Sequence, residues 1–175
     1  MTDVFRTTYT RAEKVSDAVV HVAGLSLVLM AVPVLIVLTA LYRGDAASVA
    51  GVSIYGVALF AMILFSGLYN IGETSGFGAA KEWLLRRLDH SAIYLKIAGT
   101  YTPFTLMSGH GVALTIGVWA AAFAGIGLKL VSPERFKWAG LVLYLGMGWA
   151  GMLAGGSLFA ALPTPVLVLM ITGGL

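Results

Sequence analysis

Five stretches of this chain stay apolar for about twenty residues at a time, the length that crosses a bilayer core as a helix. They cover residues 15–42, 49–69, 88–107, 112–131 and 136–156. The connections between them are short: RGDAAS, SGHG and SPER on three occasions, and the wetter stretch from 66 to 90, SGLYNIGETSGFGAAKEWLLRRLDH, on the fourth. No linker, separate domain or internal repeat interrupts the pattern. The expected fold is all-α, a polytopic transmembrane helix bundle forming a single membrane domain over residues 1–175. The last segment, LFAALPTPVLVLMITGGL, departs from the rest because Pro163 and Pro165 favour a loop or a span start there. The eleven residues 165–175 rise only about 16 Å as a helix, half a membrane, and are expected to be a truncated sixth span.

Composition turns that pattern into a statement about solvent. Of the 175 residues 59% are hydrophobic and 11% charged, whereas soluble domains carry roughly 25% charged residues. The chain lacks the polar surface of a soluble sphere, so lipid is its main solvent and membrane lipids are its expected partners. It has no cysteine, which excludes disulfides and thiolate chemistry. The first twenty residues have no signal-peptide pattern, so the first span is expected to act as its own insertion signal. Basic residues are scattered at span ends and do not form the face of a nucleic-acid module, so no nucleic-acid partner is expected. Oligomeric state is not readable from these features.

Charge placement predicts orientation. Arg6, Arg11 and Lys14 precede the first span; Lys81, Arg86 and Arg87 lie between the second and third; Lys129, Arg135 and Lys137 lie between the fourth and fifth. The opposite loops hold only Arg43, and Lys96 lies inside the third span. Positive charge concentrates on the cytoplasmic side, which puts the N-terminus in the cytoplasm.

Ionisable groups inside a bilayer are costly and face the bundle interior or water. Glu13, Asp17 and His21 are each four residues apart and stack on one helix face. His21 is read either as held by Asp17 in a packed interface or as part of a metal or proton site. Asp89 and His90 open the third span. There an anion suits the helix dipole, and Asp89 is equally a candidate functional carboxylate. Lys96 lies about 10 Å further along, beyond direct reach of Asp89, and is read as snorkelling or paired. Ser66 and Asn70, four apart, share a face at the end of the second span. Taken alone, a back-bonded serine and a capping asparagine would explain them. Gly117, Ala121, Gly125, Gly151 and Gly155 follow small-xxx-small spacing and are read as helix packing. Pro103 is expected to kink the third span, and Tyr42, Tyr101, Trp119 and Trp138 to anchor span ends at the interface. His110 falls in an outer loop.

The run RRLDHSAIYLKIAGTYTPF, residues 86–104, resembles the signature of the bacterial hemolysin III family, part of the progestin and adipoQ receptor superfamily. SGLYN and the spacing of Glu13 and His21 match in place as well, and the likeness runs along the whole chain. The resemblance implies seven spans in a bacterial inner (cytoplasmic) membrane with the N-terminus inside. It implies a role in membrane perturbation (cytolysis) or membrane-lipid homeostasis. Better understood relatives carry zinc near the cytoplasmic side, with a Ser and an Asp holding the metal-bound water. Those two positions match Ser66 and Asp89, which become the catalytic candidates. The relatives' histidine ligand in the second span falls on Asn70, a poor replacement for imidazole. The cofactor therefore stays open, since zinc is implied while the matched His ligands are missing here, and His21 or His90 would have to substitute. Two alternatives follow from the same resemblance, a zinc-dependent intramembrane lipid-amide hydrolase like a ceramidase and a lipid-binding receptor or sensor.

Overall fold

The computed structural model describes residues 10–75, 78–132, 135–154 and 156–174. They form helices α1 (Arg11–Tyr42), α2 (Ala46–Ser75), α3 (Ala79–Ser108), α4 (Val112–Val131), α5 (Lys137–Ala154), α6 (Gly156–Ala161) and α7 (Thr164–Gly174). The all-α expectation holds for the described residues, and each expected span coincides with a helix. Three helices are long and apolar enough to cross a membrane by length and composition: Ala12–Tyr42, Ala46–Asn70 and Val112–Val131.

The helix boundaries correct the sequence reading in one place. α2 runs on to Ser75 and α3 starts at Ala79, so the wet stretch 66–90 is mainly helix, and Asn70 lies inside α2 instead of capping it. Thirty residues of α3 measure about 45 Å, longer than the roughly 30 Å hydrocarbon core. The excess at its start carries Lys81, Trp83, Arg86 and Arg87, which have no place among acyl chains.

Local signals explain the ends. Thr10 accepts a hydrogen bond from the Glu13 backbone N–H while the Glu13 carboxylate accepts from the Thr10 N–H, a capping box that opens α1. Glu13 is thereby committed to the helix end. Asp45 opens α2 by accepting from the Ser48 N–H at 2.7 Å. Between α3 and α4 the chain reverses through Gly109 and Gly111, at φ +68° and +82°, values that residues with a Cβ avoid.

α3 is the central helix. It packs against α2, α4, α5 and α6, whereas α1 lies chiefly on α2. The core gathers Tyr94 and Ala98 of α3, Val118 and Ala122 of α4, and Met147 of α5. α3 is also the least apolar of the long helices, and many of its polar groups are paired within the protein. Thr102 bonds back to the Ala98 carbonyl and accepts from the Trp119 indole N–H at 3.0 Å; Thr105 takes a hydrogen bond from Thr115. The Tyr101 hydroxyl faces the Met147 and Gly148 carbonyls at 3.0 and 2.9 Å and accepts from the Gly151 N–H at 3.0 Å. Tyr101 and Trp119 thus tie α3 to its neighbours and are not the interfacial anchors their sequence positions suggested. Tyr42 and Trp138 are exposed, as anchors are.

The small-residue stripes divide. A side chain at Gly125 would collide with the Tyr94 ring, and one at Gly151 with the Tyr101 ring, so these two glycines admit the tyrosines of α3. Gly117 has no such neighbour. With Ala121 it lines an apolar recess of about 900 Å³ between α4 and α5, closed at one end by the 109–111 turn. Gly155 lies outside the described residues.

Two expectations follow. Tyr101→Phe leaves the Gly151 N–H without its partner and should cost about 1–3 kcal/mol, a loss of several degrees in thermal unfolding that Tyr42→Phe does not share. Asp45 lies in the α1–α2 turn, and the Ser48 N–H holds its carboxyl below the usual carboxylate range. Its stabilisation is therefore complete above the unfolded value of about 3.9 and is lost as pH falls through the lower folded value. The acid limb of a stability profile should flatten in Asp45→Asn, and an unchanged limb contradicts this.

Candidate functional site

The site forms where α1 crosses the end of α2. His21 is half-buried, and its Nδ1–H donates to the Asp17 backbone carbonyl at 2.7 Å. That bond fixes the tautomer and leaves Nε2 as an acceptor turned toward α2. Ser66 donates its hydroxyl to Nε2 at 3.2 Å, and the Asn70 carboxamide Nδ2 approaches the same atom at 3.5 Å. One imidazole lone pair is thus shared by the two residues that the helix repeat places on one face of α2.

Gly67 makes the approach feasible. A Cβ there would stand 3.3 Å from His21 Cβ and Cδ2, tighter than ordinary van der Waals contact. In SGLYN the serine and asparagine supply the polar contacts and the glycine between them supplies the clearance. Ser66 behaves differently from Ser26 and Ser53, which bond back to the carbonyls four residues earlier in their own helices. Asp17 holds His21 through its main chain, so the column Glu13–Asp17–His21 contributes one imidazole to the site and no carboxylate.

On α3, Asp89 and His90 are both half-buried. Among the described residues the Asp89 carboxylate makes no hydrogen bond or ion pair, so the structure does not join it directly to Ser66. Lys96 turns away from Asp89. Its Nζ donates to Thr100 at 3.1 Å and lies 3.9 Å from the centre of the Tyr55 ring on α2, a cation–π pairing inside the bundle.

The side chains brought together do not fit a zinc site. They offer one imidazole nitrogen, one hydroxyl and one carboxamide, whereas zinc takes three or four His, Cys or carboxylate donors. Among the described residues no three His, Cys, Asp or Glu side chains gather as a metal-holding group. The arrangement can hold the histidine in one orientation, with Nδ1 bonded within α1 and Nε2 facing Ser66 and Asn70 of α2. It joins α1 to α2 by polar contacts at a depth where water is scarce.

The meeting of His21 with Ser66 and Asn70 was not foreseen from the sequence. The signal that could have revealed it is Gly67, a small residue between two polar ones on a face that must accept another helix.

Comparison with known proteins places these features in a wider set. The family described as Haemolysin-III related matches residues 9–175. The chain is 36% identical over 168 residues to Hemolysin-3 of Bacillus cereus, covering 93% of this chain and 74% of that protein. It is 35% identical over 170 residues to the Hemolysin-3 homolog of Bacillus subtilis (strain 168), covering 95% of this chain and 78% of that protein. No solved structure matches it significantly.

A double-mutant cycle tests the contact. His21→Ala and Ser66→Ala should each destabilise the protein, with a coupling of about 1 kcal/mol between them. Additive effects would show that the two side chains do not meet.

Proposed function

The chain belongs to the hemolysin III family, and from that premise we propose that it is an inner-membrane protein acting on bilayer lipids. Its role on this reading is membrane-lipid homeostasis, with perturbation of the bilayer as the outward effect that the relatives' name describes. On this reading the N-terminus lies in the cytoplasm and the helices belong to a seven-span plan.

One observation carries this reading. Several polar groups within the bundle are taken up by partners on neighbouring helices: His21 by Ser66 and Asn70, Lys96 by Tyr55, Thr102 by Trp119. Groups engaged in this way leave no charged stripe of the kind that lines a wide aqueous pore. The recess between α4 and α5 is apolar in its lining and within the size range of small-molecule sites, which suits a lipid chain better than a hydrated ion.

A metal-dependent hydrolase is the reading that the donor set disfavours, and residue 70 separates the two. The purified protein should hold zinc well below one ion per chain. Asn70→His places a second imidazole beside His21 and should raise zinc retention. Near-stoichiometric zinc in the wild-type protein, lost in Asp89→Ala and accompanied by fatty-acid release from a ceramide, would overturn the proposal. In planar bilayers the protein should give no unitary conductance steps, and discrete steps would restore the pore.

A further inference from the structure

The end of the bundle where α3 begins and α4 ends holds two covered cations. Arg87 of α3 is 9% exposed and Lys129 of α4 is 8% exposed. Residues of these types are almost never so covered unless paired. Among the described residues the one carboxylate–cation bridge is Arg43 with Asp45, in the α1–α2 turn at the other end of the molecule.

Arg87 spends part of its bonding capacity on the protein. Its Nε–H donates to the Leu130 carbonyl at 3.0 Å, and its guanidinium lies 3.7 Å from the centre of the Trp83 ring. That bond places the Arg87 guanidinium at the last turn of α4, which also carries Lys129. The Lys129 ammonium passes close over Gly140 of α5, where a side chain would collide with its Nζ and with the Tyr94 hydroxyl. Tyr94 gives its proton to the Gly140 carbonyl at 3.0 Å and so turns a lone pair outward. Lys129 is largely covered, and a long lysine stem can be buried while its ammonium turns toward solvent. The C-terminal dipole of α4 supplies only about half a negative charge against two full positive ones. Exposed Arg135 and Lys137 follow in the same turn, where the sequence also carries Glu134, and Asp89 lies two residues after Arg87.

The depth of the cluster identifies what balances it. Trp83 under Arg87 is 55% exposed and Trp138 next to Lys137 is 74% exposed. Exposed tryptophans of a membrane protein sit at headgroup level. The overhang of α3 beyond the hydrocarbon core puts Arg87 at that level too. The anion available there is a lipid phosphate, and basic pockets between transmembrane helices take such headgroups.

We propose that Arg87 and Lys129, where α3, α4 and α5 meet, form a binding site for the phosphate of an anionic phospholipid. The site is separate from the His21–Ser66–Asn70 contact and stands whether or not the lipid-homeostasis reading does. Lys129 reaches the phosphate as a point charge, while Arg87 presents the guanidinium N–H groups that the Leu130 and Trp83 carbonyls leave free. Trp83 and Trp138 flank the headgroup.

Native mass spectrometry of the purified full chain, titrated with phosphatidylglycerol and separately with phosphatidylcholine, tests this. The wild-type protein should retain the anionic lipid at least about fivefold better than the zwitterionic one, and Lys129→Gln should remove about that factor. Lys129→Arg should keep it. Lys14→Gln, an equal loss of charge on α1, should change retention by less than about twofold. Because Arg87→Gln also loses the Leu130 bond, it counts only where circular dichroism shows unchanged helicity, and it should then match Lys129→Gln. Equal retention of both lipids, or an equal effect of Lys14→Gln and Lys129→Gln, would overturn the site. Displacement of phosphatidylglycerol by millimolar inorganic phosphate would overturn the lipid as its occupant and assign the cluster to a soluble anion.

Discussion

A polar group in hydrocarbon has no water to turn to, so it must find its partner within the protein. Most of this fold can be derived from that constraint. α3 carries three threonines, two tyrosines and a lysine through the centre of the bundle, a composition unsuited to facing lipid. Its central position among α2, α4, α5 and α6 is the physical answer, because its tyrosines, threonines and Lys96 can reach a carbonyl, a hydroxyl or a ring there. The helices that touch lipid, α1 above all, carry a nearly unbroken exposed surface of valine, leucine and methionine.

The same constraint gives the contact between α1 and α2 its form. A histidine on a lipid-exposed helix is tolerated because one nitrogen bonds within α1 and the other is taken up by α2. A glycine between the two partner residues gives the clearance at which the helices close. The result is a neutral contact, with none of the carboxylate or second imidazole that metal chemistry needs. Where relatives of this superfamily are expected to bring a histidine to the metal, this chain brings a carboxamide to a histidine instead.

Much of this was legible in the residues. The five apolar stretches coincide with helices, the SGHG turn falls where two glycines adopt positive φ, and Ser66 and Asn70 share a face as their spacing requires. What sequence could not give was the pairing between helices. Tyr101 and Trp119 look like interfacial anchors by position, and only packing shows them bonded inward. Gly117 and Gly125 follow the same spacing rule, yet one faces an open recess and the other a tyrosine ring. Lys96 could have turned toward either end, and a ring on α2 decided the direction. By its polarity the stretch 66–90 reads as a connection between spans, whereas most of it is helix. KEWLLRRLD is rich in good helix formers, and a helix that outruns the bilayer core is polar at its end for reasons of solvent alone.

The absence of cysteine makes the α1–α2 contact directly measurable. The Cβ positions of residues 21 and 67 stand close to the separation that a disulfide spans. In the full-length protein in membranes, His21→Cys combined with Gly67→Cys should oxidise rapidly and lose maleimide reactivity, while either single variant stays reactive. A double variant that remains fully reactive under oxidation would mean that His21 does not face SGLYN, and the neutral contact proposed for this family member would fall with it.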